Sequence, residues 1–159
     1  MAETVEKEKR ESIARNKRAK HDYHILDTWE AGVVLTGSEV KSLRDGKANI
    51  TDSYAIVKDG EVFLLNLHIS PYEKASHFNH EPTRTRKLLL HRKEIKKMIG
   101  AVERQGLTLV PLELYFKRGK AKVLLGLGKG KRRHEKRQAI AEREHSREVQ
   151  REMARRGRS

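Results

Sequence analysis

All eight aromatic residues of this 159-residue chain fall between Tyr23 and Phe116, and most of its Leu, Ile and Val fall between residues 21 and 128. Outside that block, apart from Met1, the large apolar side chains are Val5 and Ile13 in front and Ile140, Val149 and Met153 behind. Segments so poor in apolar surface cannot offset the entropy of ordering themselves. The expected organisation is one folded block over 21–128, a basic N-terminal arm over 1–20 and a basic C-terminal tail over 129–159. Both ends are expected to be mobile in the free protein.

Charge follows the same division. The chain holds 36 Lys and Arg against 22 Asp and Glu, a net of +14. Residues 1–20 hold 7 basic and 4 acidic side chains, residues 21–128 hold 17 and 13, and residues 129–159 hold 12 and 5. Half of the excess therefore sits on the tail, which points to a polyanionic partner, nucleic acid before membrane. Cysteine is absent, so disulfides, Cys-ligated zinc, iron–sulfur clusters and thiol nucleophiles are excluded. Apolar runs such as Tyr54–Val57 and Val62–Leu65 stop at four residues, so no membrane-spanning segment is expected. The first ten residues carry no apolar stretch, so no secretory signal is expected and the protein is placed in the cytoplasm.

Within the block, Tyr23 to Leu35 places Ile25, Trp29, Val33 and Leu35 in odd register, a strand pattern with an interruption expected near Gly32. Thr36 with Glu39 three residues on is a capping box. It opens a two-turn helix through Val40 and Leu43 that Gly46 can end. Asp59-Gly60 between the β-type runs 53–58 and 61–67 is a hairpin signal. Residues 68–86 read as a long polar loop, and Lys87–Leu90 as a strand or the approach to a helix. Ile95, Met98, Ile99 and Val102 give an amphipathic helix over 92–104 with Gly106 as its stop. Thr108–Phe116 and Lys120–Leu127 are two more strands joined at Gly119. Five or six strands and two short helices, without βαβ alternation, predict a mainly β fold: a small antiparallel, OB-like Greek-key barrel with basic tails.

Little catalytic chemistry is visible. His77-Phe-Asn-His80 has ligand spacing and His21 neighbours Asp22, but no third ligand is recognisable. Neither metal nor other cofactor is expected. H-E-x-x-H, G-x-S-x-G and P-loop patterns are missing. The glycines of Gly126-Leu-Gly128-Lys-Gly130 read as a flexible exit from the barrel rather than a phosphate loop. Three basic clusters remain: Arg15-Asn16-Lys17-Arg18-Ala-Lys20-His21, Arg84-Thr-Arg86-Lys87 and Lys117-Arg118-Gly-Lys120-Ala-Lys122. Any one alone is an ordinary solvated surface; together they favour RNA, through phosphate contacts that release counterions. With aromatics at only 5%, a structured RNA read by shape and backbone is favoured over a single strand read by stacking. In the tail, Arg143, Arg147, Arg151 and Arg155 form one helical stripe, and Glu144, Glu148 and Glu152 an adjacent one. Like charges at i,i+4 repel, while Glu–Arg at i,i+3 attracts by roughly 0.2–0.5 kcal/mol. The free helix is marginal, and ordering against RNA or a ribosome is expected.

Several strings resemble the small protein B (SsrA-binding) family of bacterial trans-translation. They are Asn16-Lys-Arg-Ala-Lys-His21-Asp-Tyr23, Glu30-Ala-Gly32, Gly37-Ser-Glu39-Val-Lys41-Ser-Leu-Arg44, Asp52-Ser-Tyr54, Arg86-Lys-Leu-Leu-Leu-His91, Thr108-Leu-Val-Pro-Leu112 and Gly130-Lys131 to Arg137. The resemblance covers residues 13–145. It implies an OB-like barrel that binds the tRNA-like domain of transfer-messenger RNA and delivers it to stalled ribosomes. It also implies a tail that occupies the decoding centre and empty mRNA channel of the small subunit. On it, Asn16, Lys17, Arg18, His21, Glu30, Lys41, Arg44, Arg86, Leu89 and Lys122 are candidate RNA-binding residues. Lys131, His134, Glu135, Lys136 and Arg137 are candidate decoding-centre residues. Glu135 stands where the family usually has Asp, and His91 where some members have Asn. A carboxylate such as Glu30 on an RNA-facing surface is expected to orient a base, a 2′-OH or a neighbouring cation. The expected protein is monomeric and not an enzyme. The rival readings are a constitutive rRNA-binding ribosomal or assembly protein, and an RNA hydrolase using His21 and Glu30.

Overall fold

A computed structural model describes residues 10–74, 79–131 and 133–157. The elements in order are β1 (Arg10–Arg15), α1 (Ala19–Asp22), β2 (Tyr23–Val33), α2 (Gly37–Arg44), β3 (Ala48–Asn49), β4 (Tyr54–Lys58), β5 (Glu61–Leu65), β6 (His68–Ile69), β7 (Arg86–Leu89), α3 (Arg92–Gln105), β8 (Thr108–Lys117), β9 (Lys120–Gly130) and α4 (Arg133–Arg156).

The ring β4-β5-β7-β2-β9-β8 closes on itself, because β8 pairs with β9 on one edge and with β4 at Leu109–Ala55 on the other. All pairings are antiparallel, and β2 lies between β7 and β9 rather than beside its sequence neighbours. This is the expected closed barrel with a non-sequential strand order, one strand larger than the five of the basic OB pattern. Closure needs tight turns of the right hand. Asp59-Gly60 and Arg118-Gly119 supply them, with positive φ at both residues of each pair; two such residues make the type I′ turn that matches strand twist.

Alternation along the strands fills the interior: Ala31, Val62, Leu64, Leu88, Leu109, Leu114, Val123 and Leu125 are all buried there. Leu43 of α2 and Met98 of α3 join the same core, together with Ile50, Leu67 and Ile69 from the small β3–β6 ribbon. α2 begins as expected: the Thr36 backbone N–H donates to Glu39 Oε1 at 2.9 Å. α3 ends on Gly106 in the left-handed conformation.

Several expectations need correction. Residues 10–15, assigned to the arm by their composition, form β1 along β8, and 19–22 form α1. Long-range pairing with β8 supplies what local apolar content does not. β2 runs through Gly32 without interruption; its irregularity is a bulge between Ile25 and Asp27. The loop over 68–86 yields β6 and the first residue of β7. Gly126 and Gly128 are not an exit but buried positions of β9. A Cβ on Gly126 would lie 2.9 Å from Leu112 Cδ1, and one on Gly128 would lie 3.0 Å from Tyr23 Cβ. The glycines leave room for side chains laid across the strand.

β9 ends at Gly130, opposite Tyr23, and the Lys131 N–H donates to Asp22 O at 2.9 Å. α4 follows as a 24-residue helix, about 36 Å long at 1.5 Å per residue. It meets the body at α1, and every position from Glu144 to Gly157 is exposed.

Candidate nucleic-acid interface

The predicted residues separate into distinct groups. Glu30, Leu89 and Lys122 converge beside Gly32, because Gly32 pairs with Leu89 on one side and Lys122 on the other. A Cβ at Gly32 would sit 3.3 Å from Leu89 Cβ, so the bare backbone lets these side chains gather. They line a cleft of about 430 Å³ with Leu90, His91 and Glu94. Leu89 is 54% exposed, an apolar side chain offered to solvent.

Glu30 is held firmly. Tyr115 Oη donates to its Oε2 at 2.6 Å, and Lys117 Nζ lies 3.4 Å from both carboxylate oxygens. Burial pushes this carboxyl up, but the Tyr115 hydrogen bond and the Lys117 and Lys122 ammonium groups outweigh it and hold it below the ordinary carboxylate value. Burial, then the bond to Glu30, pushes the Tyr115 phenol well up. The Arg10 guanidinium covers the Tyr115 ring at 3.8 Å and donates to Glu113 Oε2 at 3.0 Å. Glu30 thus has a phenol and an ammonium group as its own partners.

The cleft continues. Gly32, Leu89 and Lys122 also line a second hollow with Val40, Phe116, Gly119 and Lys120. Phe116 and Gly119 lead on to a third, which holds Arg44 and Arg118. Arg44 therefore lies on the same track as Glu30. Lys41, on the same helix, lies 5.6 Å from the Tyr72 ring centroid.

Asn16, Lys17, Arg18 and His21 lie at the other end of β2. The Asn16 amide donates to Pro111 O at 2.9 Å and accepts from the Arg18 N–H at 3.2 Å, while the Asn16 N–H donates to Leu112 O. Asn16 is a tether between the incoming chain and β8. His21 Nδ1 lies 3.0 Å from Asp22 Oδ1. From Tyr23 to Glu30 a strand rising about 3.3 Å per residue covers roughly 20 Å, so His21 and Glu30 belong to separate surfaces.

Arg86 cannot meet a ligand. Its side chain is 0% exposed and sits on Glu39, also fully buried. It donates to Glu39 Oε2, Leu67 O, Arg84 O and Pro82 O. Arg84 donates to Glu39 Oε1 as well. Burial pushes the Glu39 carboxyl up; hydrogen bonds from Arg84, the Thr36 backbone and Arg86 outweigh it and hold the group below its ordinary value. Arg86 is a strut, and its membership in a basic sequence cluster is misleading because its partner lies 47 residues away.

Among the described residues no group of three or more His, Asp or Glu is placed to hold a metal ion. His80 has both ring nitrogens engaged, with Nε2 donating to Ile69 O at 2.8 Å and Nδ1 accepting from Ser38 Oγ at 2.9 Å. His77 lies outside the described residues. Lys131 follows β9 directly; His134, Glu135, Lys136 and Arg137 fall on the backbone of α4, and their side chains lie outside the described residues. Sequence reasoning missed Tyr115 and left Lys117 out of the site. Both could have been found by counting back from the Arg118-Gly119 turn, which sets Lys117 opposite Lys120 and Tyr115 opposite Lys122.

The chain is similar to known proteins over most of its length. The SmpB protein family model matches residues 13–155. An SsrA-binding protein of Geobacillus sp. (strain WCH70) is 60% identical over 139 residues, 87% of this chain and 90% of that one. One from Acidothermus cellulolyticus is 59% identical over 147 residues, 92% of each. A solved chain described as "tmRNA-SmpB: a journey to the center of the bacterial ribosome" has a TM-score of 0.64 and 56% identity, covering 79% of this chain and 92% of that one. A barrel with a cationic, carboxylate-centred groove on a chain this similar leads to one conclusion: the protein belongs to the SmpB family.

Proposed function

We propose that this protein binds the tRNA-like domain of transfer-messenger RNA and delivers it to stalled ribosomes. In this reading α4 enters the vacant mRNA channel near the decoding centre. The observation that carries it is the convergence of Glu30, Leu89 and Lys122 beside Gly32, in a chain 60% identical to an SsrA-binding protein. The groove suits a folded RNA. Lys122 and the cations along the track neutralise phosphates, Leu89 offers an apolar contact to a sugar or base face, and Glu30 accepts from a base edge or 2′-OH.

The protein acts by binding rather than turnover. A carboxyl held below its ordinary value is a weak base at neutral pH, and roughly 20 Å of strand separates it from His21. Both observations favour binding over an RNA hydrolase that pairs His21 with Glu30.

The tail has its own role. From Glu144 onward the described side chains of α4 are exposed, so apolar burial does not support that part of the helix, and such a segment gains stability from a partner. Entry into the ribosome stabilises this helix, because rRNA phosphates relieve repulsion along the Arg147, Arg151 and Arg155 stripe.

A gel-shift titration against the tRNA-like domain of transfer-messenger RNA, beside an unrelated duplex and at two salt concentrations, tests the reading. Preference for the tRNA-like RNA at both salts is expected. Equal affinity for both RNAs, together with co-purification with all ribosomes, would instead mark a constitutive rRNA-binding protein.

A further inference from the structure

We propose that the outward face of α3 is a second RNA-backbone contact, carrying the tRNA-like RNA onward from the Glu30 cleft. The inference rests on the reading above. Arg92, Lys93, Lys96 and Lys97 are all exposed. At 100° per residue they cover an arc of about 140° on the side of the helix away from the buried Met98. None of the four makes an ion pair with a described residue. Arg92–Lys96 and Lys93–Lys97 are like-charge pairs at i,i+4, which repel. Glu94 is the acidic residue of the first turn, and it faces the Glu30 cleft instead. The arrangement therefore adds nothing to the helix itself and is complementary to a polyanion.

Continuity with the Glu30 cleft identifies which polyanion. Leu89 and Leu90 line that cleft on one side and, on the other, a hollow between α3 and the β4–β5 turn. This hollow beside α3 is lined by Arg92 and Lys96 together with Ile95 and Ile99. Asp59 and Glu61 on its far rim come from the turn, and Glu61 is already paired with Lys87 at 2.9 Å. A strand crossing the Leu89–Leu90 ridge from the Glu30 cleft therefore reaches Arg92 and Lys96 first, with Lys93 and Lys97 behind them.

The test is the full-length Lys96→Gln/Lys97→Gln variant titrated with the tRNA-like RNA across a salt series. The charge-matched variant Lys47→Gln/Lys74→Gln serves as control, and both are checked by circular dichroism. The expected result is at least a tenfold loss of affinity at low salt and a slope of log K against log[salt] shallower by about 0.9 for each phosphate no longer neutralised; the control is expected to keep the slope. A slope equal to wild type would overturn the inference. So would unchanged binding to the tRNA-like RNA with weakened binding to ribosomes, which would give the face to rRNA. Wild-type protein with no preference for the tRNA-like RNA would sink the parent reading as well. A wild type that prefers it, matched by the variant, would sink this inference alone.

Discussion

Tyr115 donates its phenolic hydrogen to Glu30 across 2.6 Å, from a ring that is itself 0% exposed. A fully buried aromatic on β8 thus fixes the direction of an exposed carboxylate on β2, although the two strands are not neighbours in the ring; β9 lies between them. If the groove takes RNA as proposed, its affinity depends on that alignment.

Tyr115→Phe should keep the ring and lose the donor. A net hydrogen bond to a charged group contributes about 1.5–3 kcal/mol. Stability is expected to fall by an amount at the low end of that range, because Lys117 still holds Glu30. Affinity for the tRNA-like RNA should drop about threefold to tenfold as the carboxylate loses its orientation. Glu30→Ala should lower affinity further and also cost about 1–3 kcal/mol, since it leaves the phenol unpartnered. Thermal melts beside gel shifts check both, and unchanged affinity in both variants would remove Glu30 from the interface.

The network around Glu39 contributes to the acid limit of the fold. Its carboxyl is held below the ordinary value of 4.5, so the folded state binds its proton less readily than the unfolded chain. That stabilisation is complete above pH 4.5 and is lost as pH falls through the lower folded value. The melting temperature should be nearly level from pH 7 to pH 5 and then fall. Glu39→Gln should melt lower at neutral pH, by roughly 3–5 kcal/mol, because Arg86 would be buried without a counter-charge. It should also show a shallower acid limb in pH-resolved calorimetry.

How much of this was legible depends on the range of the interaction. Asp59-Gly60, the Thr36–Glu39 capping box and the Ile95–Met98–Val102 face are encoded within a few residues, and each forms where expected. The candidacy of Glu30, Leu89 and Lys122 came from family resemblance; their convergence is produced by pairing at Gly32 and was not legible in the sequence. Arg86 misled because local charge says nothing about a partner on another element. β1 was invisible because Ile13 and Ala14 carry little apolar signal until β8 is beside them.

The two buried glycines of β9 should differ in tolerance. At Gly126 an added methyl group meets Leu112 Cδ1, the end of a side chain that can turn away. At Gly128 it meets Tyr23 Cβ, Cγ and Cδ1 at 3.0–3.2 Å, atoms close to the backbone on a stiff side chain. Overpacking of this kind costs about 1–3 kcal/mol. Gly128→Ala should lie toward the upper part of that range and Gly126→Ala toward the lower, measured by urea unfolding. The reverse order would show that Tyr23 moves more readily than its pairing opposite Gly130 implies.

Separation of the barrel from the tail is testable only if the cut respects β9. Gly130 pairs with Tyr23, and the Lys131 N–H holds Asp22 O; a truncation that begins at Gly130 would loosen the start of β2 and the neighbouring Asn16–His21 segment. Removing residues 132–159 leaves both contacts in place. That protein should bind the tRNA-like RNA within about threefold of the full chain at moderate salt, with a somewhat shallower salt slope because the tail's cations are gone. It should fail to support peptide tagging on stalled ribosomes. A collapse of RNA affinity on this cut, with the melting temperature preserved, would mean that α4 belongs to the RNA grip itself and not to a separate ribosomal step.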